Sequence, residues 1–351
     1  MSTNIPTGAR VGAAAMAALL LATAGCRSTG GEPTLASPPS SASAAPAPAS
    51  GAAWWRDAGD PLLTALIEDG LAASPEVSCR VAALRRYDLE TARDARRIVS
   101  RLGRLLGDKD GQTNPAAREE RVERIATRRL VLARQIAFAY VEVRRLQQDV
   151  ARREALRGQY QDNAEVAQFR REAGLVSAID GSLARSQDET ARGELGFAQG
   201  RLDAAMAELA RLVGAAPDAL AARLGSPGTL PDPPLDPLET ATPGDGGRAT
   251  LAEAVLREAR LTQALGEARR TARDARIAYR EGAGSFAMLY VAEAAALAVE
   301  LALVDARAGR VTAALNLWSA HEGAWAREGL DPIVPDPHAS AEIITVTAGC
   351  D

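Results

Sequence analysis

Apolar residues recur at seven-residue steps near the C-terminal end of the chain. One column is Tyr290, Leu297, Val304, Val311, Trp318 and Trp325, and its companion is Ala287, Ala294, Leu301, Ala308 and Leu315. A strict seven-residue repeat keeps one helix face against a partner helix, and over many turns it implies a left-handed supercoil. The pattern therefore predicts one arm of a coiled coil in this region.

A similar pattern covers the middle of the chain. Its columns are Val122, Ile136, Val143 and Val150, with Arg129 at the missing step, beside Ile125, Leu132, Ala139 and Leu146. After Pro115, no proline or strong turn cluster interrupts the chain as far as residue 173. A helix over residues 115–173 would be about 90 Å long at ~1.5 Å per residue. After a glycine turn, small residues recur at Ala184, Ala191, Ala198 and Ala205. A stripe of small residues lets helices approach closely, so residues 115–213 are predicted to form one antiparallel hairpin.

A second hairpin is predicted over residues 249–327, with its turn at residues 282–285. The two turns indicate an internal duplication, because the copies are offset by 108 residues, as from Gly174 to Gly282. Each copy is predicted to consist of a helix, a glycine turn and a second helix. The predicted fold class is mainly α, with long antiparallel coiled-coil hairpins present twice.

The other segments are assigned from their composition. Residues 1–25 are predicted to be a signal peptide, because a single charge, Arg10, precedes a short apolar stretch and then small residues. The remaining assignments are a disordered Ser/Ala/Pro tether at 26–53, N-terminal helices at 54–106, a proline-rich linker at 214–248 and a C-terminal tail at 328–351.

Two cleavages compete at the end of the signal peptide. Ala22 and Ala24 would suit an ordinary signal peptidase, whereas Ala24-Gly25-Cys26 resembles a bacterial lipobox, in which Cys26 is lipidated and becomes the new N-terminus. If Cys26 carries lipid, Cys79 and Cys350 could pair as a disulfide in an oxidising compartment.

Composition and charge exclude several function classes. The chain is 47% hydrophobic but only 4% aromatic, which suits closely packed helices of Ala, Leu and Val. The net charge of −4 gives no basic footprint for nucleic acid. His321 and His338 have no ligand-spaced companions, and no phosphate loop, nucleophile elbow or zinc spacing occurs. We expect no enzymatic activity, no cofactor and no metal.

Three stretches together resemble the outer-membrane factor (TolC-like) family, and within it the NodT-type efflux lipoproteins. Residues 54–62, WWRDAGDPL, resemble the family's N-terminal motif, residues 169–180 the first hairpin-tip motif and residues 279–286 the second. The likeness covers most of residues 54–325, and it is specific as a set rather than piece by piece.

The resemblance implies an outer-membrane efflux channel component, a passive export duct subunit that works with a periplasmic adaptor protein and an inner-membrane pump. It implies a homo-oligomer, a trimer, that is lipid-anchored in the outer membrane and faces the periplasm. The adaptor-contact tips implied by the resemblance are Gly174, Leu175, Val176, Ser177, Gly282, Gly284 and Ser285. A tight helix reversal needs the conformational freedom of glycine, and small tip residues let partner helices dock.

The chain departs from the family where the family inserts strand pairs. The first site is only Gly107–Asn114, the proline-rich linker occupies the second, and no segment of the ~9–11 alternating residues that a membrane strand needs is found. We therefore expect a shortened relative that lacks recognisable β-barrel strands. The alternative function is a non-conducting periplasmic helical lipoprotein that acts as a scaffold or binds adaptors.

Overall fold

The computed structural model describes residues 53–96, 115–225, 227–233, 246–321 and 323–332. Within these ranges the regular elements are helices, and no strand occurs. The α-helices are α1 Pro61–Ala73, α2 Pro75–Arg96, α3 Pro115–Glu172, α4 Ala178–Val213, α5 Pro217–Leu224, α6 Gly246–Arg280 and α7 Phe286–His321. Short 3-10 helices occur at Trp54–Ala58 and Ala324–Arg327. The predicted mainly α fold class is confirmed.

Several predicted features lie outside the described residues. They are the signal peptide with Cys26, the tether, the end of the second N-terminal helix, the Gly107–Asn114 turn, and the C-terminal tail with Cys350. Cys79 is described and is disulfide-bonded, and its partner lies outside the described residues.

The two long hairpins lie side by side. Helices α3 and α4 pack along each other, as do α6 and α7, and the hairpins join through α3 and α7. Helices α4 and α6 therefore lie at the two edges of a four-helix row. Predicted heptad positions that are buried include Val122, Ile136, Val143, Leu146, Val311 and Leu315. Of these, Val122 lies outside the seams, in a cluster with Leu84 of α2 and Leu330.

Near its start, α7 buries a different stripe from the one predicted. Ala287 is exposed and Leu297 is only half-buried. Another column at seven-residue steps is buried instead, formed by Leu289, Ala296, Leu303 and Leu317, with the half-buried Arg310 at the step between the last two. The reason is that α7 packs on both α6 and α3, so it needs two apolar stripes rather than one.

The proline-rich linker contains a short helix that the sequence analysis did not predict. Pro217 occupies the first helical position of α5, where its missing N–H costs nothing, and Gly225 follows the helix with a positive φ of 62°. Leu220 and Leu224 of this helix are buried in the main core. After the linker, α6 begins at Gly246, three residues before the predicted Ala249.

The N-terminal elements close the end of the row opposite the hairpin turns. Trp55 packs edge-on against Trp325, with ring centroids 4.4 Å apart. The Asp60 side chain caps α1 by accepting from the N–H groups of Leu62 (2.9 Å) and Leu63 (3.1 Å). The contact between Trp55 and Trp325 joins the first described residues to the end of the second hairpin.

A buried hydrogen-bond chain ties α1, α3 and α5 together. The Tyr140 hydroxyl donates to the second carboxylate oxygen of Asp60 at 2.7 Å, and Arg144 Nε donates to the Tyr140 oxygen at 3.1 Å. Arg144 also donates to the carbonyl of Leu224 at 3.0 Å. Burial, and then the bond to Asp60, raises the pKa of Tyr140 to about 12. The phenol is therefore protonated at neutral pH and can donate to the cap.

Helix α7 is, in the part of the chain that the structure describes, the one helix long and apolar enough to cross a membrane. The same length and composition fit the central arm of a coiled coil, which is how α7 packs against α3 and α6.

Candidate functional site at the hairpin turns

Both glycine turns have the same backbone geometry. At the first, Gly174 has a φ of 71°, the N–H of Leu175 donates to the carbonyl of Arg170 at 2.8 Å, and the Gly174 N–H donates to Arg171 at 3.0 Å. At the second, Gly282 has a φ of 79°, and Ala283 and Gly282 donate to Ala278 (2.9 Å) and Tyr279 (3.2 Å). This is the Schellman arrangement, in which a left-handed glycine satisfies the last carbonyls of a helix.

The returning helices also start in the same way. The Ser177 hydroxyl accepts from the N–H of Asp180 at 3.2 Å, and the Ser285 hydroxyl accepts from the N–H of Met288 at 3.3 Å. Both pairs keep the offset of 108 residues found in the sequence. The duplication therefore extends from the sequence to the individual caps.

Arg170 joins the two turns to each other. Its two terminal nitrogens donate to the backbone carbonyls of Tyr279 and Arg280, each at 2.8 Å, and its guanidinium lies 4.8 Å from the centre of the Tyr279 ring. These carbonyls end α6, where the helix dipole is negative, so a cation there is favoured. Arg170 thus holds the end of α3 against the end of α6.

A small apolar cluster lies beneath the two turns and draws on all four long helices. Its buried members are Ala167, Ala184, Tyr279, Phe286 and Leu289. The Tyr279 and Phe286 rings meet edge-on with centroids 5.8 Å apart. Burial raises the pKa of the Tyr279 hydroxyl, with Arg170 opposing the shift. The cluster fixes the two turns side by side at one end of the row.

A buried carboxylate joins the two hairpins on the side of this cluster that faces away from the turns. The Glu293 side chain on α7 is only 1% exposed and pairs with Arg276 of α6 at 2.6 Å. Its other oxygen accepts from the Asn163 amide of α3 at 3.0 Å. Arg276 in turn donates to Gln159 of α3 at 2.8 Å. One buried charge therefore connects three helices from both hairpins.

Apolar side chains project into solvent around the turns. Leu175 is 71% exposed, Ile179 is 75% exposed and Met288 is 63% exposed. Phe169 and Val291, beside them, are also exposed. Single exposed apolar residues are ordinary, but these five all lie near the hairpin turns at one end of the molecule.

The structure brings all the predicted tip residues to this end. Gly174, Leu175, Val176, Ser177, Gly282, Gly284 and Ser285 lie in the two turns. Their role as a contact surface stays a prediction. Gly284 has an ordinary φ, but an added Cβ would lie 3.2 Å from the Cβ of Ala278, so a small residue is favoured there for space.

Sequence reasoning did not assign roles to Arg170, Ile179, Met288 or Glu293. Ile179 and Met288 could have been found, because each is an apolar residue in the first turn of a helix that follows a solvent-facing reversal. The partner carbonyl of Arg170 lies 109 residues away in the chain, and Glu293 is surrounded by Arg276, 17 residues away on the preceding helix, and Asn163, 130 residues away, so no pattern within one helix marks either residue. Within the described ranges, no group of three or more His, Cys, Asp or Glu residues is placed to hold a metal ion.

Comparison with known proteins gives matches at the level of structure alone. No protein-family model matches the sequence, and no curated protein matches it either. The outer-membrane channel OprN matches with a TM-score of 0.63 at 15% identity, over 78% of this chain and 92% of OprN. The outer membrane protein VceC from Vibrio cholerae matches with a TM-score of 0.58 at 18% identity, over 78% of this chain and 98% of VceC.

A membrane protein from Pseudomonas aeruginosa matches with a TM-score of 0.60 at 14% identity, over 79% of this chain and 94% of that one. The described part of the chain thus has the helical fold of the TolC-like outer-membrane factors, and the suspected resemblance is confirmed as a likeness of fold.

Proposed function

We propose that this chain is a subunit of a passive outer-membrane export duct, which works with a periplasmic adaptor protein and an inner-membrane pump. The observation that carries the proposal is the pair of glycine turns with the same Schellman arrangement, fixed side by side by Arg170 and surrounded by exposed apolar residues. The fold shared with the channel OprN and the outer membrane protein VceC supports it.

The turns are the proposed adaptor-contact surface. A partner built of helices would bury the exposed side chains of Leu175, Ile179 and Met288, and burial of such residues is a main source of affinity at protein interfaces. The glycines leave no side chain in the way of that approach. Gly174, Val176, Ser177, Gly282, Gly284 and Ser285 would supply the close backbone contacts.

The duct itself requires several copies, and the edges of the helical row support a closed ring. On α4, Phe197 is 69% exposed, and added Cβ atoms at Gly193, Gly196 and Gly200 would meet nothing within 4 Å. On α6, Leu256 is 56% exposed. We infer that α4 of one protomer packs on α6 of the next, because a head-to-tail contact between different surfaces forms a ring when its rotation closes. By resemblance the ring is a trimer.

Cross-linking tests this ring. Phe197 lies about 29 Å along α4 from the turns and Leu256 about 36 Å along α6, so the two residues lie at similar heights. We expect a chain carrying both Phe197→Cys and Leu256→Cys to give covalent two- and three-chain products with a short bismaleimide, seen on a denaturing gel.

The matched control replaces the α6 site with Val166→Cys, an exposed residue of the central helix α3. That variant should give no more product than the unmodified chain, which reports the background from the native cysteines. Equal products from both variants, or single chains only from the α4/α6 variant, would reject the proposed edge contact.

The proposed location is the outer membrane, facing the periplasm, with a palmitate-containing lipid anchor on Cys26. Lipidation consumes the Cys26 thiol, so it would leave Cys350 as the partner of the disulfide-bonded Cys79. Mass spectrometry of the mature protein should find a lipid-modified peptide that begins at Cys26 and a disulfide-linked pair of peptides containing Cys79 and Cys350. An unmodified N-terminus at Gly25 would instead indicate ordinary signal cleavage.

A second candidate function is a non-conducting periplasmic lipoprotein that binds adaptors or acts as a scaffold. The observation that favours it is the lack of any strand among the described residues, together with the lack of a membrane-strand pattern in the sequence. Both functions use the same hairpin turns, so they differ in conductance and not in adaptor binding.

A further inference from the structure

A cavity of about 270 Å³ opens between α3, α6 and α7, separate from the turns. Its middle, near Ala296, lies about 15 Å along α7 from the second turn. The apolar part of the lining includes Leu156, Ala272, Ala296 and Leu297 and forms the floor. The charged part of the lining consists of Arg152, Arg269, Arg273, Arg276 and Glu300 at the rim, with the buried Glu293 below them.

Positive charges outnumber negative charges in the lining of the cavity. Glu293 is neutralised by Arg276 at 2.6 Å, and Glu300 is neutralised by Arg269 at 2.7 Å. Arg152 reaches Glu300 only at 4.0 Å. Arg273 has no ion pair within the described residues, so two guanidinium groups on facing helices remain available over one apolar floor.

The two available arginines approach from opposite sides. Arg152 stands on α3 of the first hairpin, and Arg273 stands on α6 of the second. A pocket with an apolar body and a few converging polar groups is the usual form of a small-molecule site, and this one, at about 270 Å³, is slightly smaller than the usual range of about 300–1,000 Å³.

We propose that this cavity binds a small amphipathic anion: a sulfonate, phosphate or carboxylate head between Arg152 and Arg273, and a flat apolar body on the floor beside Leu156 and Leu297. Guanidinium groups bind such heads through paired charge-assisted hydrogen bonds. The cavity volume of about 270 Å³ is large enough for an apolar body of two fused six-membered rings. All the residues involved belong to one protomer, so the site does not depend on formation of a duct.

Calorimetric titration of the full-length mature chain in a neutral detergent tests the site, with 2-naphthalenesulfonate as the probe. The neutral analogue 2-naphthalenesulfonamide has the same apolar body, and inorganic phosphate has only the head. We expect saturable binding of the sulfonate, with both comparison compounds weaker by about tenfold or more, because each lacks one of the two interactions.

The variants Arg273→Gln and Arg152→Gln should each weaken sulfonate binding by about fivefold or more. Arg260→Gln, which removes an exposed α6 arginine outside the cavity, should leave it unchanged. Helix content from circular dichroism confirms that each variant is folded. Equal binding of sulfonate and sulfonamide, equal loss in all three variants, or no saturable binding would each overturn the proposal.

Discussion

Replacement of Leu175 by aspartate is expected to abolish export while the protein stays folded. The Leu175 side chain is 71% exposed in the free chain, so the variant loses almost no internal packing. In the proposed complex the same side chain is buried against the adaptor, and an unpaired carboxylate there is costly. A central interface residue of this kind costs about 2 kcal/mol or more, which is roughly a 30-fold loss of affinity.

The measurement is complementation of a strain from which this gene has been deleted. Susceptibility to a panel of antibiotics, dyes and detergents should rise on deletion and return to normal with the unchanged chain. The Leu175→Asp strain should remain as susceptible as the deletion strain, and Ile179→Asp should behave in the same way. Val131→Asp, an exposed apolar site on α3 far from the turns, is the matched control and should restore resistance. Full complementation by Leu175→Asp would show that the partner contact does not lie at the turns.

Replacement of Arg276 by leucine is expected to cause a large loss of stability. It removes the cation that pairs with Glu293, whose side chain is 1% exposed, and leaves Asn163 as the remaining hydrogen-bond partner of the carboxylate. Breaking one partner of a buried ion pair typically costs about 3–5 kcal/mol. Urea unfolding followed by helix content should therefore show a much lower midpoint for Arg276→Leu than for the unchanged chain.

The double variant Arg276→Leu/Glu293→Leu separates the buried charge from simple loss of packing. Because it contains no unpaired charge, it should recover most of the stability that the single variant loses. Arg260→Leu, an exposed position on the same helix, should have little effect. If the double variant is as unstable as Arg276→Leu, the cost comes from lost packing and the unpaired carboxylate is not its cause.

The sequence predicted the long hairpins well because their cause is local and repetitive. Helix α3 has no proline after its first residue, and its apolar residues keep one period from Val122 to Val150 apart from the step at Arg129. The two turns were also predictable, since a left-handed reversal after a helix requires glycine and the serine that follows is a strong cap. Both signals lie within a few residues of the structure that they specify.

The features that could not be predicted depend on which helices meet. A heptad pattern shows that α7 has a partner but not that it has two, so the buried column from Leu289 to Leu317 was missed. Glu293 stands among small apolar residues, and its sequence neighbours give no sign that Arg276 and Asn163 surround it. Arg170 was noticed only as part of a motif, because its acceptors are backbone carbonyls that carry no sequence identity.

The cavity beside the α3–α7 seam is another feature that could not be predicted from the sequence. Its arginines are unremarkable on each helix alone, and the excess of positive charge arises only when the two hairpins come together. The sequence pointed to Leu175 in the proposed contact surface at the turns, whereas Ile179 and Met288, which are as exposed as Leu175, were left without a role.

Single-channel recording of the purified protein in a planar bilayer tests the proposed duct most directly. We expect stepwise conductance from the unchanged chain, and a loss of conductance steps when Phe197→Glu disrupts the proposed edge contact between protomers. A protein that stays bound to membranes through its N-terminus and gives no conductance under any voltage would contradict the duct. It would leave the adaptor-binding lipoprotein as the function of this chain.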